Sequence, residues 1–369
     1  MRDTLSSVLP RAAGVAAVPV IFKAYSLESV AIFEIILVTS QLVFILLSSD
    51  RVNWRTTRGE RVFRGYFLAN ILIVLGAVIT SIVGSSLFIS AILWLVAAKH
   101  SVEYIKADLF AQGHINRYQL ADGVVPIALI AGLLSLIGSQ VEQAIIAAGV
   151  VVTGLFYAIR VREASNTVLN LTASWTELKG DVRGTWKMVL NSLTLNLSFM
   201  GDRYVLYAFS SPEFLAVYAV YSRGTFAMRA FLAPQYERFR RGFLAKQALR
   251  PTVSTRAVFA AVLLAAVFQI AYLTVTFSSG PASVDVGDFT ASMVFGFAFW
   301  VNSILGVPYI VEKRKLYLVI SSSFSILSLF IGAYFFGIHS VASVYVMLTF
   351  GVFVSIVTRR KMLGAEKAS

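Results

Sequence analysis

The sequence predicts an all-α polytopic membrane protein with twelve transmembrane helices in two six-helix lobes and both termini in the cytoplasm. Three observations carry this. The 369 residues are 57% hydrophobic and 14% charged, with a mean hydropathy of +0.76, far more apolar than a soluble domain. The apolar residues gather into runs near the ~20 residues that take a helix across a ~30 Å hydrocarbon core. The basic residues fall between alternate runs, as lysine and arginine do when they mark the cytoplasmic side.

In chain order the first six runs lie at about 7 to 25, 29 to 48, 65 to 84, 86 to 102, 118 to 138 and 141 to 159. The second six lie at about 187 to 208, 212 to 233, 257 to 277, 288 to 311, 316 to 336 and 340 to 358. The first run resembles a signal peptide in having Arg2 before it, but Arg11 interrupts it and no A-x-A-like site follows, so it reads as a retained helix. With Met1 inside, the cytoplasmic segments collect Arg2, five arginines from Arg51 to Arg64, Lys106 and Arg117, and then Arg160, Arg162, Lys179 and Arg183. Six basic residues from Arg238 to Arg256, three from Lys313 to Lys315 and four from Arg359 to Lys367 follow, while the outer turns hold none. One missed helix would invert this bias downstream.

The organisation is an N-terminal six-helix lobe over 1–160, a polar cytoplasmic connection over 161–186, and a C-terminal six-helix lobe with a short basic tail over 187–369. An even number of helices per half leaves both halves in the same orientation, so any repeat would be parallel, about an axis along the membrane normal.

Several function classes fall away. The formal charge of +13 would suggest nucleic acid in a soluble chain, but here the basic residues are accounted for by topology. The chain has no cysteine, which removes disulfides, thiolate metal sites and cysteine nucleophiles. No Walker A pattern, metal-ligand cluster or nucleophile with a neighbouring histidine is present; His100, His114 and His339 are scattered at loops or helix ends. The expectation is a protein that is not an enzyme and holds no cofactor or metal, with proton or sodium coupling as its energy source.

The informative stretch is the pair of runs from Trp186 to Glu237, joined by a short turn into a helical hairpin. It carries Asp202, Arg203, Arg223 and Arg229 within its apolar length, at roughly 2.5 to 3.5 kcal/mol for each centrally placed charge. Asn191, Thr194, Ser198 and Asp202 share one helical face, as do Tyr218, Ser222, Thr225 and Arg229, with Arg223 beside the second stripe. Two readings stand: the stripes line an aqueous, cargo-binding surface, or they hydrogen-bond helix to helix. Asp202 and Arg203 point about 100° apart on a helix, so each is expected to pair elsewhere. Asp202, with Glu34 and Asp122 as further buried carboxylates, either couples ions or serves structure. Arg11 and Lys23 either face the cargo path or snorkel to the interfaces.

The run GDRYVLYAFSSPEFLAVYAVYSR, followed by AP and a basic segment, resembles the seventh and eighth helices of the Wzx-like oligosaccharide flippases. These are polysaccharide biosynthesis proteins of the multidrug, oligosaccharidyl-lipid and polysaccharide exporter superfamily. The matching positions are Asp202, Arg203, Pro212, Glu213, Tyr218 and Arg223, with Ala216 where that family usually has glycine. The FEIILVTSQLVFILLSS, AQGHINRYQ and EKRKLYL segments extend the resemblance over most of the chain. It implies two lobes around a central cavity that opens alternately to each side, in a bacterial cytoplasmic membrane. It also implies a polyprenyl-pyrophosphate-linked oligosaccharide as cargo, with polymerase and other polysaccharide-assembly proteins as partners. Arginine suits such a cargo, since its planar fork meets phosphate oxygens with several hydrogen bonds. The alternatives from other classes are a membrane-embedded polymerase or glycosyltransferase, for which the outer turns are short, and a small-molecule exporter of the same superfamily.

Overall fold

The computed structural model describes residues 15–49, 64–84, 86–112, 114, 117, 120–244, 255–278, 284–311 and 315–368, and these contain helices and turns but no strand. The chain divides into two compact units, Met1–Leu193 and Thr194–Ser369. The first holds α1 (Val15–Ala24), α2 (Leu27–Phe44) with a π-helical turn at Ile45–Ser49, α3 (Arg64–Val83) and α4 (Leu87–Ala111). It continues with α5 (Val124–Ser135), α6 (Val141–Ile159), α7 (Val161–Leu169) and the start of α8 (Leu171–Phe209). The second holds the rest of α8, then α9 (Pro212–Leu244), α10 (Thr255–Phe277), α11 (Val286–Val311), α12 (Lys315–Phe336) and α13 (Val341–Ala368).

Among the described residues seven helices are long and apolar enough to cross a membrane, and Val15–Ala24, Val124–Ser135 and Ser323–Phe336 are shorter apolar helices. Their outward faces carry bare aliphatic and aromatic side chains such as Ile82, Leu155, Phe259 and Phe353, an apolar surface of the kind that only lipid or another protein covers. The chain is a multi-pass membrane protein. The 161–186 stretch is itself helical, formed by α7 and the first part of α8.

In the first unit α4 is the packing centre, in contact with α2, α3, α5 and α6. Close approach needs a missing side chain: a Cβ on Gly149 of α6 would lie 2.8 Å from the Trp94 backbone of α4. One end of the unit is aromatic, with Phe67 stacked on Phe156 at 5.3 Å and Tyr104 edge-on to both. Beside it Tyr66 stacks on His100 at 3.8 Å, and Asn70 bridges the His100 ring, Ser101 and Tyr157. His100 is thus fully buried inside a helix, not at a helix end as its place in the sequence suggested. The reason is that α4 continues past the apolar run to Ala111, its polar extension held by Lys106–Glu103 at 3.0 Å and by Arg160–Asp108 at 2.6 Å. Arg160 lies just beyond the apolar helix α6; burial pushes its proton affinity down, but Asp108 and Glu163 more than offset that and hold it above the usual guanidinium value.

In the second unit α9 packs on α10 and α11, α11 on α13, and α13 on α12. Gly351 of α13 meets α12 so closely that a Cβ would sit 2.6 Å from the Phe324 carbonyl oxygen. Ser211 caps α9 through Phe214 N–H to its Oγ at 3.2 Å, and Pro212 opens the helix, where no backbone donor is needed.

Candidate functional site

The turn at Ser210 and Ser211 folds α9 back along α8, and this brings together residues far apart in sequence. The Asp202 carboxylate accepts hydrogen bonds from Arg203 Nη1 at 2.7 and 2.6 Å and from the Tyr218 hydroxyl. Arg203 Nη2 donates to Ser222 Oγ at 3.0 Å, Ser222 donates to the Ala219 carbonyl oxygen at 2.8 Å, and the guanidinium lies 5.6 Å from the centre of the Tyr218 ring. Tyr218 in turn sits against Tyr345 of α13 at 5.3 Å, and Tyr345 against Phe295 of α11 at 5.5 Å. Asp202 and Arg203 are each 4% exposed and Tyr218 and Tyr345 1%, so the assembly is a dry ion pair with its own hydrogen-bonding shell.

This corrects one sequence expectation. Asp202 and Arg203 pair with each other despite their 100° separation, because the long arginine side chain curls back over one turn and, out of water, an adjacent opposite charge is the strongest partner on offer. Tyr218, Ser222 and Thr225 are buried within the second unit and bond to protein groups. Tyr218 and Ser222 hydrogen-bond to α8, in keeping with the helix-to-helix reading of the second stripe, while Thr225 donates to the Ser222 carbonyl oxygen of its own helix.

Arg223 follows Ser222 on α9 and is partly buried. Asn191, Thr194 and Ser198 lie on α8 and Arg229 on α9, their side chains outside the described residues; Arg11 lies outside them altogether. Glu34 is buried on α2, 2% exposed. Asp122 is not buried: it occupies the turn before α5, its side chain 52% exposed, and pairs with Lys106 at 2.8 Å. A proline-free polar start to the fifth apolar run hid that turn from the sequence.

Two participants escaped sequence reasoning. Tyr345 has no local signal, since an aromatic in an apolar run reads as lipid-facing or core. Lys99 falls late in the apolar run of about 86 to 102 but lies midway along α4, its Nζ donating to Ser40 Oγ at 2.9 Å and Gln41 Oε1 at 3.2 Å. A pocket of about 500 Å³ at one end of the second unit is lined by Glu213, Asp285, Asp288 and His339. Two of its carboxylates serve the backbone: Asp288 accepts Ala342 N–H at 2.7 Å, and Asp285 accepts Asp288 N–H at 2.9 Å. Among the described residues no three His, Cys, Asp or Glu side chains are grouped to hold a metal ion.

No family model and no curated protein matches the chain. Among solved structures it is similar to one described as the inward-facing conformation of a multidrug resistance MATE family transporter of the MOP superfamily. The TM-score is 0.54 at 15% identity, over 100% of this chain and 94% of that one. At this identity what is shared is the fold: the chain has a MATE-like fold, helical with no strand among the described residues.

Proposed function

We propose that the protein is a flippase that moves a polyprenyl-pyrophosphate-linked oligosaccharide across a bacterial cytoplasmic membrane by alternating access, for surface polysaccharide synthesis. In this reading the chain crosses the membrane twelve times with both termini in the cytoplasm, and coupling to protons or sodium supplies the energy. The observation that carries the transport reading is the MATE-like fold over the whole chain. The anionic cargo is supported by Arg223, a partly buried arginine about eleven residues into α9, too deep for easy snorkelling. Arg203 is held in an ion pair by Asp202 and takes a structural role, and Arg223, near the middle of the apolar run of about 212 to 233, takes the leading role in cargo binding. Arg11 and Arg229 complete the basic lining, with Asn191 and Ser198 as its polar part.

The second reading, a small-molecule exporter, is favoured by the description of the structural neighbour as a multidrug resistance transporter. The two separate in one assay. Purified protein in vesicles should carry a fluorescent polyprenyl-pyrophosphate-linked sugar across the bilayer, and Arg223→Ala should cut that rate severely while folded yield holds. Arg223→Lys should recover only part, because lysine keeps the charge but loses the planar fork. Normal flipping by well-folded Arg223→Ala would refute its role, and efflux of an uncharged drug without lipid flipping would favour the exporter.

A further inference from the structure

Lys99 stands midway along the 25-residue α4, inside the span Leu87–Leu109. Ser40 Oγ gives its own proton to the Leu37 carbonyl oxygen at 2.8 Å, so its lone pair receives the Lys99 N–H, and Gln41 Oε1 receives a second. An ammonium has three N–H donors; among the described residues the third has no protein partner. Nor is the charge met as other cations of the chain are met: Lys106 has Glu103 and Asp122, Arg160 has Asp108 and Glu163, and Arg203 has Asp202. Neutral dipoles fix the position of the Lys99 charge without cancelling it. Lys99 is a partly exposed residue.

The seat is built into α2. Ser40 and Gln41 lie just before the π-helical turn Ile45–Ser49, where the Ile45 N–H is shared between the Gln41 and Leu42 carbonyl oxygens, and such turns concentrate at functional sites. We propose that Lys99, held by Ser40 and Gln41, is an oxyanion-binding site of the first unit that takes a phosphate-type group. An ammonium inside a span with, among the described residues, one free donor and no carboxylate is completed by a ligand carrying both negative charge and acceptor oxygens. That the phosphate is the head of the cargo rests on the flippase reading; the binding chemistry does not.

The test is calorimetric titration of the full-length protein in detergent with inorganic pyrophosphate. Wild type should bind, Lys99→Met should weaken binding roughly tenfold or more, Lys99→Arg should keep most of it, and Gln41→Leu should lose part. If Lys99→Met does not fold, Lys99→Gln removes the charge while keeping a donor to Ser40 and gives the same comparison. Unchanged affinity in a folded charge-free variant, or no binding of pyrophosphate by wild type, overturns the proposal. Repeating the titration in nanodiscs separates the sources of phosphate: binding lost in phosphatidylglycerol but kept in phosphatidylcholine assigns the site to a lipid head group, and binding kept in both assigns it to a cargo-type pyrophosphate. No transport is measured, so a failed flippase assay at Arg223 leaves this result standing, and a failed titration leaves that assay standing.

Discussion

Asp202 and Arg203 show how much a single residue's surroundings change its meaning. In the sequence they are two costly charges; in the structure they are one neutral unit whose remaining donors and acceptors are taken by Tyr218 and Ser222. Removing one partner leaves the other charged and buried. Asp202→Asn should therefore lower unfolding stability in detergent by about 3 to 5 kcal/mol, while a double change to Leu at 202 and Met at 203 should cost much less, because apolar replacements leave no stranded charge. Denaturant or thermal unfolding of the purified variants measures both. If the single and double variants lose stability equally, the pair is not the unit described here. The presence of charge at 202, 203 and 223 was legible from composition alone; the choice of partner was not, because it depends on side-chain length and on which helix returns alongside.

At the scale of elements, apolar run length placed the helices, and the ends misled wherever polarity and helix end fail to coincide. Apolarity stops near residue 102 but α4 runs to Ala111, since a helix leaving the membrane can go on as long as its polar face finds partners such as Arg160 for Asp108. The 161–186 stretch, expected as a polar connection, is helical, formed by α7 and part of α8. Helix contacts rest on glycines that no periodicity reveals. Gly149→Ala should push α6 away from α4, with a loss of about 1 to 3 kcal/mol from overpacking, whereas Gly154→Ala, with nothing within 4 Å of its Cβ position, should be slightly stabilising through helix propensity. Comparing the melting temperatures of these two variants isolates the contact from the helix propensity that alanine adds to both.

For the whole molecule, the membrane class and the helical character could be read from composition, and the resemblance to exporters of the MOP superfamily anticipated the MATE-like fold. Cargo could not be read in the same way, because it is chosen by a few side chains whose neighbours come from distant parts of the chain. Coupling belongs at this scale. Asp122 is exposed and paired with Lys106, so Asp122→Asn should leave any dependence of transport on the pH gradient intact. Glu34, buried within α2, is the candidate carrier, and Glu34→Gln should abolish that dependence without loss of folded protein. Flux into vesicles under an imposed pH gradient decides, and persistence of the dependence in Glu34→Gln would remove the candidate.

The completion of an ion pair on α8 by hydroxyl groups of α9 also bears on how the protein is made. As α8 emerges from the ribosome it carries Asp202 and Arg203 with no tyrosine or serine yet available to complete their bonding, since Tyr218 and Ser222 are still to be synthesised. The first arm alone carries its ion pair with the outer hydrogen bonds unmade; once the second arm is present, Tyr218 and Ser222 complete them. The two arms should therefore partition into lipid as a pair, so that a nascent chain stopped after Ser211 is slow to integrate and quick to be degraded, and one extended through α9 is retained.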